Sequence, residues 1–203
     1  WSSALPRQWA ERWTARPIKR LRHNNKLRIG HLRGNRFTIR IRGVDESRLE
    51  RCRAILDVLG RRGVPNHYGP QRFGQRGDSD LLGRDVVRRD ARAFVGRFLG
   101  GPHPNESETV QAARAAFDAG RWSEALALFP YSMSDERRAL QSLIQSGGDE
   151  RRAMAGVPRR LRMFFVSAYQ SRLFNRVLDA RLQTLDQVFA GDLAMKHPGR
   201  SVF

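Results

Sequence analysis

The chain has 203 residues, of which 38 are Lys or Arg and 20 are Asp or Glu, giving a net charge of +18 and a sequence pI near 11.6. An apolar content of 40% is enough for one or two packed domains and excludes a disordered basic tail, while the positive excess selects a polyanionic partner such as nucleic acid. The single cysteine, Cys52, excludes an internal disulfide framework, no Cys and His group has zinc-ligand spacing, and no run of about twenty apolar residues could span a bilayer.

These exclusions point to a soluble protein in a reducing, cytoplasmic setting with no metal. Only Lys19, Lys26 and Lys196 are lysines, so the excess is arginine. Arginine-rich usage can follow genomic composition, but the guanidinium also matches phosphate geometry.

Trp1 to Asn25 reads as an irregular or briefly helical lead-in with three of the four tryptophans and the basic run Lys19–His23. From Lys26 to Val44 the pattern has period two. Leu27, Ile29 and His31 form the apolar side of one strand, Arg33-Gly34-Asn35 turns it, and Phe37, Ile39 and Ile41 face the core from the next. The opposite face carries Arg28, Arg36 and Arg40, which either meet an RNA backbone or are merely solvated. Ser47 and Glu50 then predict a capping box for a helix carrying Leu49, Cys52, Leu56 and Leu59, closed by Gly60 and Gly63.

Gly63-Val64-Pro65-Asn66-His67-Tyr68-Gly69-Pro70-Gln71-Arg72-Phe73-Gly74 is the most informative stretch. Its glycines and prolines forbid a continuous helix or strand, so its side chains project from a turn. Tyr68 and Phe73 can stack on bases, Asn66 and Gln71 can read polar base edges, and Arg72 can bind a phosphate or carboxylate in two places. The competing reading is a surface turn whose aromatics plug the core.

One helix is predicted over Ser79–Leu99, with Leu82, Val86, Phe94 and Phe98 inward. Gly100–Asn105 reads as a linker and domain boundary. Beyond it the spacing predicts helices through Val110–Phe117, Trp122–Phe129 and Leu140–Ile144, then a long helix after Pro158 that reaches Leu182. Strand character returns only in the last dozen residues. No phosphate-cradling loop, dinucleotide fingerprint or nucleophile elbow occurs, and the five histidines are scattered.

Three blocks carry a family resemblance. Lys26-Leu27-Arg28-Ile29-Gly30-His31-Leu32-Arg33-Gly34-Asn35-Arg36-Phe37 is similar to the strand pair of the TruD family of tRNA pseudouridine synthases. Gly63 to Gly74 resembles that family's Gly-Val-Pro-Asn-x-[Phe/Tyr]-Gly-x-Gln-Arg-Phe-Gly motif. Ser167-Ala168-Tyr169-Gln170-Ser171-Arg172-Leu173-Phe174-Asn175 resembles its Ser-Ala-x-x-Ser-x-Leu-Phe-Asn helix, and Gly191-Asp192-Leu193 with Gly199-Arg200 is similar to the family's segment C-terminal to that helix.

The resemblance implies an α+β fold, with residues 1–100 as part of a pseudouridine synthase core of mixed or antiparallel sheet and helices. Residues 101–203 would open a mostly helical insertion domain. It implies a cofactor-free enzyme that isomerises a uridine in the D arm of tRNA, position 13 in the family, to pseudouridine. Tyr68 would lie against the extruded base and Asn66 near the nucleophile, with Gln71, Arg72 and Phe73 supporting the pocket wall. Arg28, Arg36, Arg40 and Arg172 would contact the RNA backbone, although the Ser167–Asn175 block also has core spacing.

The family's nucleophile is an aspartate within Gly-x-Lys-Asp-x-x-Ala, a motif that these 203 residues lack. The expectation is therefore a chain inactive alone, whose active site is completed by further segments of the same polypeptide. The alternatives are a non-catalytic RNA-binding module or a ribonucleoprotein component.

Overall fold

The computed structural model describes residues 36–193, and the chain divides into two units between Arg48 and Leu49. The tryptophan-rich lead-in, the strand expected over Leu27, Arg28, Ile29 and His31, the turn expected at Arg33–Asn35 and residues 194–203 lie outside the described part.

In the first unit, residues 36–45 are irregular and Glu46–Arg48 make one turn of 3₁₀ helix. The expected second strand is absent: Phe37, Ile39 and Ile41 are 78%, 81% and 76% exposed. Alternation supplies an apolar face, but a strand also needs a partner for its main-chain groups, and none of the described residues provides one. Asp45, and not Ser47, is the accepting side chain at this turn, taking the Ser47 N–H at 3.2 Å.

In the second unit the regular elements among the described residues are all helices. It contains α1 (Leu49–Arg62), α2 (Ser79–Arg88), α3 (Ala91–Leu99), α4 (Glu108–Asp118), α5 (Trp122–Leu128), α6 (Ser134–Gln145), α7 (Glu150–Gly156) and α8 (Arg159–Arg181). Short 3₁₀ turns cover Pro70–Phe73 and Leu182–Thr184. The expected α+β class with a mixed or antiparallel sheet is therefore corrected to all-α for the described residues. Here the apolar stripes find one another helix on helix, which satisfies main-chain hydrogen bonds within each segment.

The core is centred on Phe94, Leu99, Phe129, Leu140 and Val157, all fully buried. Phe94 and Phe98 stack at 5.5 Å between centroids, and Phe165 of α8 closes the group at 6.2 and 6.1 Å. Each such ring stabilises the fold by about 1.5–3 kcal/mol through burial. The tightest helix pair is α2 with α8. A Cβ placed on Gly83 would stand 2.0 Å from the Phe165 carbonyl oxygen, so only glycine permits this approach.

Two departures from the expected helices have local causes. The segment 79–99 breaks into α2 and α3 because Arg89 adopts the left-handed conformation (φ 57°) and Asp90 caps α3, its carboxylate accepting the Ala93 N–H at 2.9 Å. Asp149 starts the unexpected α7 in the same manner, accepting the N–H groups of Arg151 and Arg152.

The Gly100–Asn105 segment is bonded from several directions. Arg76 donates to the carbonyls of Gly100 and Gly101, Gln75 to that of Asn105, and Asp118 accepts the Gly101 N–H. The hydrophobic core itself runs from Leu82 to Phe165 across this segment. Beneath it, the buried Arg114 makes two 2.8 Å bonds to Glu106 and a third to the Phe98 carbonyl.

Candidate nucleic-acid site

The loop after α1 is laid along α8 and held there by side chains one helical turn apart. Ser167, Ser171, Asn175 and Asp179 recur at a spacing of four, which brings them onto one face of the helix. Each meets the loop. Arg72 donates through Nε to Ser171 Oγ at 3.0 Å and through Nη2 to Ser167 Oγ. Asn175 accepts the Tyr68 N–H through Oδ1 and donates through Nδ2 to the Tyr68 carbonyl, both at 2.9 Å. His67 Nε2 pairs with Asp179 Oδ1 at 2.7 Å.

This attachment fixes the loop's aromatics. The Tyr68 ring packs edge-on against Phe174 at 5.6 Å yet stays 47% exposed. Phe73 is 4% exposed and lies under the Arg172 guanidinium, 3.8 Å from its ring centroid. Asp80, itself buried in α2, accepts from Arg172 Nε at 2.9 Å. A loop of glycine and proline thus gains its rigidity from outside itself.

Tyr68, Phe73, Arg172 and Asn175 line a concavity of about 390 Å³ together with Pro70, the Gly74–Gly77 turn, His103 and Asn105. That volume lies in the range of small-ligand sites. The lining contains two arginines, Arg76 and Arg172, and no carboxylate. Burial, and next the neighbouring Arg114, lower the Arg76 guanidinium below the ordinary arginine range. The cavity therefore joins an exposed aromatic face to two guanidinium groups that pair outside its lining, Arg76 with Asp78 at 3.3 Å and Arg172 with Asp80 at 2.9 Å, and the aromatic face suits a base.

The sequence-predicted residues divide into three groups. Tyr68, Phe73 and Arg172 come together at the cavity. Arg72 sits behind Tyr68 on α8, 5.9 Å from that ring centroid and 5.2 Å from that of Phe164, with serine hydroxyls and no carboxylate as its partners. Asn66 and Gln71 are exposed and outside the cavity lining. Arg36 and Arg40 are exposed residues of the first unit, and Arg28 lies outside the described residues.

Arg76, Asn175 and the Ser167–Ser171–Asp179 stripe were not predicted as site residues. The signal for the four helix residues was present as polar side chains at four-residue intervals on a long helix; Arg76, in a turn, had none. Among the described residues, no group of three His, Cys, Asp or Glu side chains could hold a metal ion, and no helix is long and apolar enough to cross a membrane.

Comparison with known proteins shows the family of the chain. The family model for tRNA pseudouridine synthase D (TruD) matches residues 15–202. The tRNA pseudouridine synthase D of Geobacter sulfurreducens is 48% identical over 182 residues, covering 90% of this chain and 45% of that protein. The corresponding protein of Geobacter metallireducens is 44% identical with the same coverage. A crystal structure from Methanosarcina mazei assigned to TruD superposes with a TM-score of 0.59 at 30% identity, over 66% of this chain and 32% of that one. The chain spans a little under half the length of these curated relatives. With nearly all of its length matched by the family model, this chain belongs to the tRNA pseudouridine synthase D (TruD) family, a family of isomerases.

Proposed function

We propose that the chain supplies the base-holding wall of a tRNA pseudouridine synthase that converts a D-arm uridine, position 13, to pseudouridine. The observation that carries this reading is the Tyr68 ring, half exposed, clamped by Asn175 and bordering a concavity with Arg76 and Arg172. An extruded uridine loses its stacking in the duplex, and an aromatic face returns about 1–3 kcal/mol of it. Arg76 and Arg172 would offer their remaining N–H groups to the adjoining phosphates, and Arg36 and Arg40, exposed in the first unit, would meet the RNA backbone there. The reaction needs no cofactor in this reading.

The nucleophile belongs to a Gly-x-Lys-Asp-x-x-Ala segment that these 203 residues do not contain. In this assignment the isomerisation depends on that segment, and the site is cytoplasmic like its substrate. A covalent aspartate adduct would retain one fragment while the base turns within the pocket.

A chimera tests the proposal. The 182-residue stretch of the Geobacter sulfurreducens relative that matches this chain is replaced by the chain, and pseudouridine is mapped in unmodified tRNA transcripts. Conversion of the D-arm uridine, reduced by Tyr68→Ala and retained by Tyr68→Phe, is the expected result. A folded chimera that binds tRNA but converts no uridine, or converts it equally well with Tyr68→Ala, overturns the assignment.

A further inference from the structure

We propose that Arg89, Arg151 and Arg162 form a second phosphate-binding site that takes a backbone phosphate of the same RNA. The inference rests on the tRNA-binding reading above but uses none of its residues. These three arginines line a concavity of about 410 Å³ floored by Ala91, Met154 and Ala155. They come from separate places in the sequence: the α2–α3 corner, the first turn of α7 and the first turn of α8.

At two of these places an arginine is locally unfavourable. Arg89 has φ 57°, a left-handed conformation in which a Cβ-bearing side chain is strained and glycine or asparagine is at home; it is the one non-glycine residue with positive φ among the described residues. The first turn of α8 holds Arg159, Arg160 and Arg162 and no acidic residue. Cations at a helix N-terminus oppose the positive end of the helix dipole, which favours anions.

Several other arginines of the helical unit are neutralised by carboxylates. Arg84 and Arg97 share Asp85, Arg114 has Glu106, Arg172 has Asp80 and Arg181 has Asp192. Among the described residues, none of the three cavity arginines pairs with a carboxylate. Arg162 donates through Nε to the Val157 carbonyl at 3.2 Å, which anchors its stem and leaves its terminal N–H groups available. Local rules broken together around one hollow point to a function, and three guanidinium groups lining it select an anion. A phosphodiester fits the chemistry, since guanidinium groups meet its oxygens through paired N–H bonds.

The test compares tRNA binding across a salt series for the wild-type chain, Arg89→Asn, Arg151→Gln, the double variant, and Arg121→Gln as a control of equal charge change. Arg121 already pairs with Glu124 at 2.7 Å. Each cavity substitution is expected to lower the slope of log affinity against log salt by about one, and the double variant by about two. Arg121→Gln is expected to leave it unchanged. Arg89→Asn should keep or raise the thermal midpoint, because asparagine tolerates the left-handed region.

Slopes unchanged in Arg89→Asn and Arg151→Gln, with binding that still falls on Tyr68→Ala, overturn the second site while leaving the first intact. Binding insensitive to Tyr68→Ala is the separate failure of the first reading. Titration with inorganic phosphate distinguishes the source: competition by phosphate that is lost in Arg89→Asn, without any slope change for tRNA, shows a free-anion site and overturns the RNA assignment.

Discussion

The side-chain amide of Asn175 grips the main chain of Tyr68 at both ends, accepting its N–H and donating to its carbonyl at 2.9 Å each. The pair is 107 residues apart in sequence, so a loop position is fixed by a distant helix. Asn175→Ala is expected to cost about 1–2 kcal/mol in urea unfolding, the net worth of two hydrogen bonds. It should also lose part of the about 1–3 kcal/mol that a stacked base contributes, although Tyr68 itself is untouched. Asn175→Asp, which keeps the acceptor and removes the donor, should fall between. Wild-type tRNA affinity in Asn175→Ala would show that the clamp does not orient the ring.

Gly83 and Gly96 provide a matched pair on neighbouring helices. Both are helical, but a methyl group at Gly83 would enter the Phe165 main chain, whereas one at Gly96 meets nothing within 4 Å. Gly83→Ala should destabilise by about 1–3 kcal/mol or more through overpacking. Gly96→Ala should stabilise by about 0.5–1 kcal/mol by restricting the unfolded chain. Thermal or denaturant melts read both, and equal effects at the two positions would refute the α2–α8 contact.

Burial raises the Glu136 carboxyl above its usual range. A raised carboxylate contributes most when protonated, so its contribution is complete below the unfolded value and is lost as pH rises through the folded one. Glu136→Gln should therefore raise the thermal midpoint at pH 7, with the gain shrinking toward pH 4. A gain that is constant across this range would contradict the assignment.

Asp192 behaves oppositely. Hydrogen bonds from Arg181, and then from the Phe189 N–H, hold its carboxyl down to about 2. The attachment of residues 189–192 to α8 is present above the ordinary value of 3.8 and lost as pH falls through about 2. Carboxyl NMR titration should give that midpoint, and Arg181→Gln should return it toward 3.8. A midpoint near 4 in the unaltered chain would rule the pairing out.

The helices were legible wherever apolar spacing set them, as with Leu82 and Phe94 or Val110 and Phe117. Their breaks were less so. Arg89 turns the chain with neither glycine nor proline to announce it, and α7 is a seven-residue helix marked mainly by its Asp149 cap. Alternation at Phe37, Ile39 and Ile41 predicted a strand because the pattern reports a face and says nothing about a backbone partner.

The loop proposed to hold the base stood out in the sequence through Tyr68, Arg72 and Phe73, since turn residues and aromatics declare themselves locally. Its attachment was not. Ser167, Ser171, Asn175 and Asp179 look like an ordinary solvated stripe until the segment 95 to 112 residues upstream is seen to lie across them. Spacing of four along a helix then becomes a binding surface for the chain's own loop.

From Ser167 to Asp179, α8 serves as a ruler about 18 Å long, at 1.5 Å per residue, against which the recognition loop is measured. Its zero mark is the Gly83–Phe165 contact, two residues before the first rung. A change of shape at that contact would translate every rung together and re-aim Tyr68 as a unit. On the proposed reading, selectivity for one nucleotide would be inherited from the seating of two helices, and a core substitution that never touches RNA would alter it.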